Sequence, residues 1–444
     1  MIYHCEDRTC NYWDEGEKLP ERCPQCGRKL LRANEADMTG DDWTALGNTL
    51  WYAEASDKKR MVDCFRKAAY LGSAWGVCNL GICMEQGNGV EADPVQAFWL
   101  YQQAVEMGSL NAVCCLGVCY QYGIGTAPDA EKAAELYCKA AEYGSPRGQM
   151  LLARAFHDGI GVEADAAEAV HWVRAAAYQR YGEGMYRLGV CYEYGDGVEQ
   201  NWEHAVHWFR EAAESGVSVA MTDLGYCYEK GCGVEQSWEQ AFSWYRRGAE
   251  CGDLRSMHNL GYCYEKGRGV EQSWEQAFSW YRRGAECGYP VSMSNLGLCY
   301  KRGYGVDQNW QEAIKWYEQG AQCGHLQSMN NLACCYDGGE GVEQNEERAL
   351  YWYRRSAEGG NGVAMCNLGW CYQRGYGVEQ NEDRALYWYR RGAEAGSVYC
   401  MFYLGWNYSN GVGVKQNMTE AIRWYAGGRP PSPAPFRCNF VFSP

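Results

Sequence analysis

The 444-residue sequence has no excess of positive charge and no long apolar run. Its 41 Lys and Arg against 56 Asp and Glu give a formal charge of −15. This balance argues against nucleic acid or an anionic membrane surface as the main partner. No stretch approaches the ~18 consecutive apolar residues that a membrane helix needs. The opening MIYHCEDRTC lacks a basic region followed by an apolar run, so we do not expect a secretory signal.

Cysteine and glycine, by contrast, are abundant. In the absence of a signal sequence, the 25 Cys predict reduced thiols in a cytoplasmic protein. The odd number also argues against a fully paired disulfide framework. Hydrophobic residues make up 47% of the chain, which is enough for a core and excludes general disorder.

Many of the 54 glycines recur at a fixed spacing. A Leu-Gly-x-Cys-Tyr pattern repeats every 36 residues; Ala153 and Ala333 occupy two of the glycine slots, and Gly47 starts the series. The other glycines of this pattern are Gly81, Gly117, Gly189, Gly225, Gly261, Gly297, Gly369 and Gly405. A period of this length is typical of a solenoid. The sequence therefore predicts an all-α solenoid of about eleven helix-turn-helix units over residues 41–428.

One central unit shows the expected local structure. Apolar residues at spacings of three and four predict a first helix over 253–266. The segment 267–270, Gly-Arg-Gly-Val, ends it, because glycine adopts the left-handed conformation that closes a helix. Ser273 is the expected N-cap of the second helix, with Gln276 as its capping-box partner. We expect this helix to run to about Cys287.

Two further ladders keep the same 36-residue step, one of Trp and one of Cys. Both are interpreted as core between units, because a single unit cannot bury its apolar face alone. The Trp ladder is Trp172, Trp208, Trp244, Trp280, Trp316, Trp352, Trp388 and Trp424. The Cys ladder is Cys83, Cys119, Cys191, Cys227, Cys263, Cys299, Cys335 and Cys371.

These motifs resemble a known family. They are similar to the Sel1-like repeats, which are relatives of the tetratricopeptide repeat. The resemblance lies in the pattern Asn-Leu-Gly-x-Cys-Tyr-x-x-Gly-x-Gly-Val-Glu-Gln, followed by Ala-x-x-Trp-Tyr-Arg-x-Ala-Ala-Glu-x-Gly. The resemblance covers nearly 390 residues. It implies a right-handed α-solenoid that acts as an adaptor or scaffold, with the first helix of each unit lining the concave face.

The resemblance also indicates candidate partner-binding residues on that face. An asparagine side chain can both donate to and accept from the backbone of a bound peptide, and cations nearby would favour an acidic partner. The alternative is that each Asn forms a local hydrogen bond within the repeat. The candidates are Asn259, Asn295, Asn331, Asn367, Tyr226, Tyr262, Trp370, Lys230, Lys266, Arg302 and Arg374.

A near-perfect internal duplication favours binding over catalysis. Residues 224–252 and 260–288 differ only at Cys232 and Arg268. Insertion of a whole unit would displace the residues of a single catalytic centre, whereas a repeated binding surface tolerates it. We therefore expect no catalytic and no cofactor-binding residues in the repeats.

The N-terminal segment 1–32 carries a different signal. Cys5, Cys10, Cys23 and Cys26 are spaced C-x4-C-x12-C-x2-C, and four thiolates suit structural Zn(II). A segment of this size would depend on the metal to fold. It resembles a zinc ribbon or the iron-binding rubredoxin knuckle, although the four residues between its first two cysteines depart from that pattern. His4 is an alternative ligand to Cys5.

The sequence as a whole predicts a cytoplasmic protein-interaction scaffold with a structural zinc module. The alternative is an enzyme of the β-lactamase-like, cysteine-rich repeat type, or a redox or iron-binding protein acting through the knuckle. Ser56 and Lys59 match Ser-x-x-Lys, but they are expected in a loop and lack the companion motifs. Residues 429–444 form a Pro-rich tail, which we expect to be disordered.

Overall fold

A computed structural model describes residues 2–5, 13–15, 30–32, 35–52 and 55–427 of the protein. Twenty-two α-helices follow three short strands in this part of the chain. The predicted Pro-rich tail at 429–444 lies outside the described residues, as do Cys10, Cys23 and Cys26. No helix among the described residues is long and apolar enough to cross a membrane.

The strands form an antiparallel sheet in the order β2-β1-β3, with β1 Ile2–Cys5, β2 Trp13–Glu15 and β3 Leu30–Arg32. Ile2 pairs with Glu15 of β2, and Cys5 pairs with Leu30 of β3. The Ile2 side chain is buried with Trp43 and Leu46 of the first helix. The sheet therefore packs on the first helical pair, and its apolar contact comes from that pair.

The helices form eleven consecutive pairs, as the period predicts. Their bounds are α1 Gly40–Thr49, α2 Ala55–Tyr70, α3 Ala74–Gln86, α4 Pro94–Glu106, α5 Leu110–Tyr122, α6 Ala130–Glu142, α7 Pro146–Asp158, α8 Ala166–Tyr178, α9 Gly182–Tyr194, α10 Trp202–Glu214, α11 Ser218–Lys230, α12 Trp238–Glu250, α13 Leu254–Lys266, α14 Trp274–Glu286, α15 Pro290–Arg302, α16 Trp310–Gln322, α17 Leu326–Gly338, α18 Glu346–Glu358, α19 Gly362–Arg374, α20 Glu382–Glu394, α21 Val398–Asn410 and α22 Met418–Gly427. They divide into two compact units: α1 to α10 belong to unit 1, residues 1–217, and α11 to α22 to unit 2, residues 218–444. Ser56 and Lys59 lie in the first turn of α2 rather than in a loop.

The helix ends follow from local chemistry. Asp253 caps α13 by accepting a 2.7 Å hydrogen bond from the Ser256 backbone N–H. Gly267 ends the helix at a φ of +66°, and its N–H donates to the Cys263 carbonyl. Ser273 caps α14 as predicted, accepting from the Gln276 N–H. The reciprocal bond differs from the expectation, because the Ser273 backbone N–H donates to the Tyr264 carbonyl at 3.0 Å instead of to the Gln276 side chain.

The second glycine of each interhelical turn joins successive pairs. A Cβ atom at Gly269 would collide with the backbone carbonyl of Trp238, the first residue of α12. Gly305 stands in the same relation to Trp274, the first residue of α14. Glycine is required here because the turn lies directly against the backbone of the preceding pair.

Tyrosine forms the most deeply buried part of the core between helices, and the predicted tryptophans contribute at its margin, with Trp244 and Trp388 buried. Tyrosine at the next repeat position is 0–1% exposed at Tyr101, Tyr137, Tyr245, Tyr281, Tyr317, Tyr353 and Tyr389, and in the last five of these it directly follows a Trp of the ladder. Most residues of the Trp ladder are half-buried, and several lie under a cation: the Arg247 guanidinium is 4.3 Å from the Trp244 ring centroid, and that of Arg283 is 4.6 Å from Trp280. All of the Cys ladder except the half-buried Cys191 is buried, as predicted.

Candidate functional site

The first helices of neighbouring pairs in unit 2 enclose a cavity of about 570 Å³. We call it the asparagine cavity, because Asn259, Asn295 and Asn331 line it at successive repeat positions. Tyr262 and Lys230 also line it, so five of the eleven candidates meet at one site. Its other lining residues are Glu229, His258, Glu265, Arg268, Val291, Ser294, Leu298, His325 and Gln327.

The remaining candidates lie outside this cavity. Tyr226 is 44% exposed on α11, and Trp370 packs on Tyr376 with ring centroids 5.5 Å apart. Arg302 and Arg374 occupy the last turns of α15 and α19. The predicted set therefore does not form one continuous site.

Several asparagines of the ladder already have partners within the protein. The Asn331 side chain accepts from Gln327 at 2.9 Å and donates to Ser294 at 3.4 Å. Asn367 donates to Asn330 at 3.0 Å, one helical pair earlier. The bond from Gln327 is the local kind that the alternative predicts, whereas the other two join neighbouring helical pairs. Asn259 differs, since no described residue forms a hydrogen bond with its amide.

The two predicted lysines are neutralised by their neighbours. Lys230 Nζ lies 2.8 Å from Glu229 Oε1, and Lys266 Nζ lies 2.8 Å from Glu265 Oε1. In the sequence each Lys directly follows its Glu. These lysines offer little free charge to a partner.

Arg268 is the cation that the sequence argument missed. Its guanidinium carbon lies 4.4 Å from the Trp238 ring centroid and 5.5 Å from that of Tyr262. No carboxylate of a described residue lies within ion-pair distance. Stacking orders a guanidinium while leaving its N–H donors available. The sequence does single out Arg268, because it is the one residue that differs between the duplicated segments, where Cys232 occupies the equivalent position.

His258 adds an unpaired nitrogen to the same cavity. Its Nδ1 is buried and has no hydrogen-bond partner among the described residues. Burial lowers the pKa of His258 to about 4, since the charged imidazolium would lose its hydration. The ring is therefore neutral at pH 7. His325, across the cavity, also has a lowered pKa because of burial, and its Nδ1 lies 2.9 Å from the Ser328 hydroxyl.

The asparagine cavity thus offers hydrogen-bonding groups and one available cation. Among the described residues, no group of three or more His, Cys, Asp or Glu is placed to hold a metal ion. Of the predicted zinc ligands, Cys5 ends β1, and Cys10, Cys23 and Cys26 lie outside the described residues.

Comparison with known proteins agrees with the helical pairs. The family model of the Sel1 repeat matches ten segments: 76–109, 112–145, 146–181, 182–217, 218–253, 254–289, 290–325, 326–361, 362–397 and 398–426. The pair α1–α2 precedes these matches. A search of curated proteins finds no match.

Two solved structures are similar in both sequence and fold. One is a protective antigen of uropathogenic Escherichia coli strains that displays an SLR fold; it is 34% identical, the match covers 82% of this chain and 78% of that one, and the TM-score is 0.63. The other is a Sel1 repeat protein from Oxalobacter formigenes, with 31% identity, coverage of 55% and 96%, and a TM-score of 0.50.

Proposed function

This chain belongs to the Sel1 repeat family, and we propose that it is a non-catalytic scaffold that holds an extended segment of a partner protein in the asparagine cavity. The fold supports this proposal, because solenoids of this type are typical of protein-interaction scaffolds. The carrying observation is that Asn259, His258 and Arg268 line one cavity, and that the Asn259 amide, the buried His258 Nδ1 and the Arg268 guanidinium form no hydrogen bond or ion pair with a described residue.

The hydrogen-bonding capacity of these groups suits an extended peptide segment. An amide side chain and a neutral imidazole can each pair with a backbone N–H or C=O, which carries little sequence information. Arg268 would add a preference for acidic side chains in the bound segment, because a fixed guanidinium binds a carboxylate with two parallel hydrogen bonds. Glu229 and Glu265 repel a bound carboxylate only weakly, since each is paired with a lysine. We therefore propose a partner segment with an Asp or Glu at the Arg268 position.

The test is a selection from a displayed library of random peptides on the whole protein. Enriched peptides are then measured by fluorescence polarisation on wild type and on Asn259→Ala, His258→Ala and Arg268→Cys. The last change places the residue of the duplicated unit at this position, so its fold is expected to persist. Asn367→Ala, outside the cavity, is the matched control.

We expect acidic peptides to be enriched and to bind the Arg268 variant about tenfold or more weakly, the loss typical of one charged hydrogen bond. We also expect the Asn367→Ala control to bind these peptides with the affinity of the wild type. Enriched peptides without acidic residues, or equal affinity for all variants, would contradict the proposal.

We also propose that Cys5, Cys10, Cys23 and Cys26 hold a structural Zn(II). Support comes from the sheet, because β1 and β2 bracket the first cysteine pair in the sequence and β2 and β3 bracket the second. Metal analysis of the purified protein should give one zinc per chain, lost in Cys23→Ser/Cys26→Ser. A coloured, iron-containing protein would contradict zinc, and a metal-free folded protein would contradict any metal.

A further inference from the structure

An aromatic ring occupies the core position of every helical pair in unit 1 except one, as Phe65, Tyr101, Tyr137 and Phe209. In the other pairs with a core tyrosine, that ring faces a small residue twenty positions earlier; a Cβ at Gly117, for example, would lie 2.5 Å from Cε1 of Tyr137. Between Tyr137 and Phe209 the equivalent position holds Val173, and its opposite residue is Ala153. Alanine at this position does not exclude the ring, since Ala333 lies twenty positions before the buried Tyr353, so the missing ring is due to Val173.

A cavity of about 620 Å³ lies where this ring is missing. Ala153 and Val173 line it together with Leu151, Val170 and Val190, so its floor is apolar. All of its walls come from α7, α8, α9 and their adjoining turns, within unit 1. Its volume falls within the range of about 300–1,000 Å³ that is usual for small-molecule sites.

Charged residues surround this arginine cavity, which we name for Arg147, Arg154 and Arg187 in its lining. Arg154 Nε lies 3.4 Å from Asp158, so its charge is partly compensated. Arg147 donates to the sulfur of Cys115 at 3.6 Å. Neither Arg147 nor Arg187 has a carboxylate within ion-pair distance among the described residues.

The acidic residues of the lining are largely engaged elsewhere. His157 lies 2.7 Å from Asp158 through Nδ1 and 3.2 Å from Asp196 through Nε2. The hydrogen bond to Asp158 raises the pKa of His157, and Asp196 adds to that effect. Glu183 is the remaining carboxylate of the lining. The lining therefore holds three arginines and three carboxylates, and Arg147 and Arg187 are the two arginines without an ion-pair partner among the described residues.

We propose that the arginine cavity is a binding site for a small aromatic carboxylate. The flat ring would lie on Ala153 and Val173, in the space that a core tyrosine fills elsewhere. The carboxylate would reach Arg147 and Arg187 at the rim, where guanidinium groups bind planar anions with paired hydrogen bonds. This site lies in unit 1 and is independent of the peptide-binding function proposed for the asparagine cavity.

Calorimetry with phenylacetate on the full-length protein tests the proposal. Phenylacetamide keeps the ring without the charge, and acetate keeps the charge without the ring. We expect phenylacetate to bind at least about tenfold more tightly than either, because each fragment loses one of the two contacts. Equal binding of phenylacetamide would overturn the carboxylate assignment, and the absence of phenylacetate binding at millimolar concentration would overturn the site.

Two variants locate the binding. The double variant Ala153→Gly/Val173→Tyr introduces the glycine and tyrosine found at the equivalent positions Gly117 and Tyr137. The new ring should fill the cavity, so phenylacetate binding should be lost. Arg187→Gln, at an exposed position, should weaken binding about tenfold without unfolding the helix. Asn259→Ala, in the other cavity, should leave binding unchanged. If the double variant does not fold, the Arg187→Gln variant provides the test. Phenylacetate binding to this variant with wild-type affinity would contradict the proposal.

Discussion

Tyr281 donates a 2.7 Å hydrogen bond to Glu265, sixteen residues earlier on the first helix of the same pair. Tyr245 makes the same bond to Glu229 at 2.9 Å. The next pair breaks the series, because Lys301 occupies the acceptor position and lies 2.8 Å from Glu340 instead. The Tyr317 hydroxyl is then buried without a hydrogen-bond partner among the described residues.

These two tyrosines give a matched test of the hydrogen bond. Tyr281→Phe should lower the free energy of unfolding by about 1–2 kcal/mol, since it removes a bond to a charged acceptor that is buried. Tyr317→Phe should cost less than about 0.5 kcal/mol or stabilise the protein, because no bond is lost. Urea denaturation followed by circular dichroism measures both. Equal costs would show that the bond contributes nothing to stability.

The close approach of Gly261 to Tyr281 predicts a coupled pair. A Cβ at Gly261 would lie 2.7 Å from Cε1 of the Tyr281 ring, so Gly261→Ala should cost about 1–3 kcal/mol through overpacking. In a Tyr281→Val background the same change should cost less than about 0.5 kcal/mol, because the ring is gone. Ala153 with Val173 is the natural version of this double change, and Ala333 with the buried Tyr353 is a natural version of the single change, so we expect a cost near the lower end of this range. Denaturation of the four proteins gives the coupling energy, and additive costs would contradict a steric origin.

His258 predicts a loss of stability in mild acid. Its pKa is about 4 in the folded protein against 6.5 for an unperturbed histidine, chiefly because of burial; Glu265 raises it and His325 lowers it further. Between these values the unfolded chain binds a proton that the folded chain does not, so stability falls as the pH falls from about 6.5 to 4. The contribution is at most about 3 kcal/mol and less with solvent access.

Replacing His258 with Gln should remove that part of the pH dependence. Urea midpoints at pH 7.5 and pH 5 for wild type and variant provide the measurement, and an NMR titration gives the pKa directly. His171→Gln, on the exposed surface of α8, is the control. The prediction is wrong if both variants keep the wild-type slope or if His258 titrates near 6.5.

Cys115 is predicted to differ in reactivity from its neighbours. A hydrogen bond from Cys78, together with the charge of Arg147, lowers the pKa of Cys115 to about 7. Burial instead raises the pKa of Cys119 to about 12. Alkylation by iodoacetamide, followed by mass spectrometry from pH 6 to 9, should show a midpoint near 7 for Cys115 and no such midpoint for Cys119. Arg147→Gln should move the Cys115 midpoint upward, and an unmoved midpoint would exclude the arginine as its cause.

Much of the fold follows from the sequence, because one 36-residue period fixes the number of pairs, the turns and the capping residues. The choice of ring in the core does not follow, since Trp280 and Tyr281 are adjacent and helical periodicity at this spacing leaves both on the packed side. The structure buries Tyr281 because its ring meets Gly261, a contact between helices that spacing alone does not reveal.

The candidate site was predictable only in part. Asn259, Asn295 and Asn331 could be placed together because they share a repeat position. Lys230 and Lys266 were overvalued, since the pairing of each with the glutamate before it depends on side-chain geometry. Arg268 and Val173 were missed because each departs from the repeat. The informative positions in this chain are those where one unit differs from the others.

The contact between Gly269 and the backbone of Trp238 also bears on how such a chain can evolve. From α3–α4 onward a pair brings its own glycine turn and offers the next pair the same helix start, so an added copy of 36 residues finds a complete set of contacts. An insertion of another length would place the turn against the wrong atoms. Growth in whole copies therefore preserves these contacts, and the duplicated segments, which differ only at Cys232 and Arg268, fit growth of this kind.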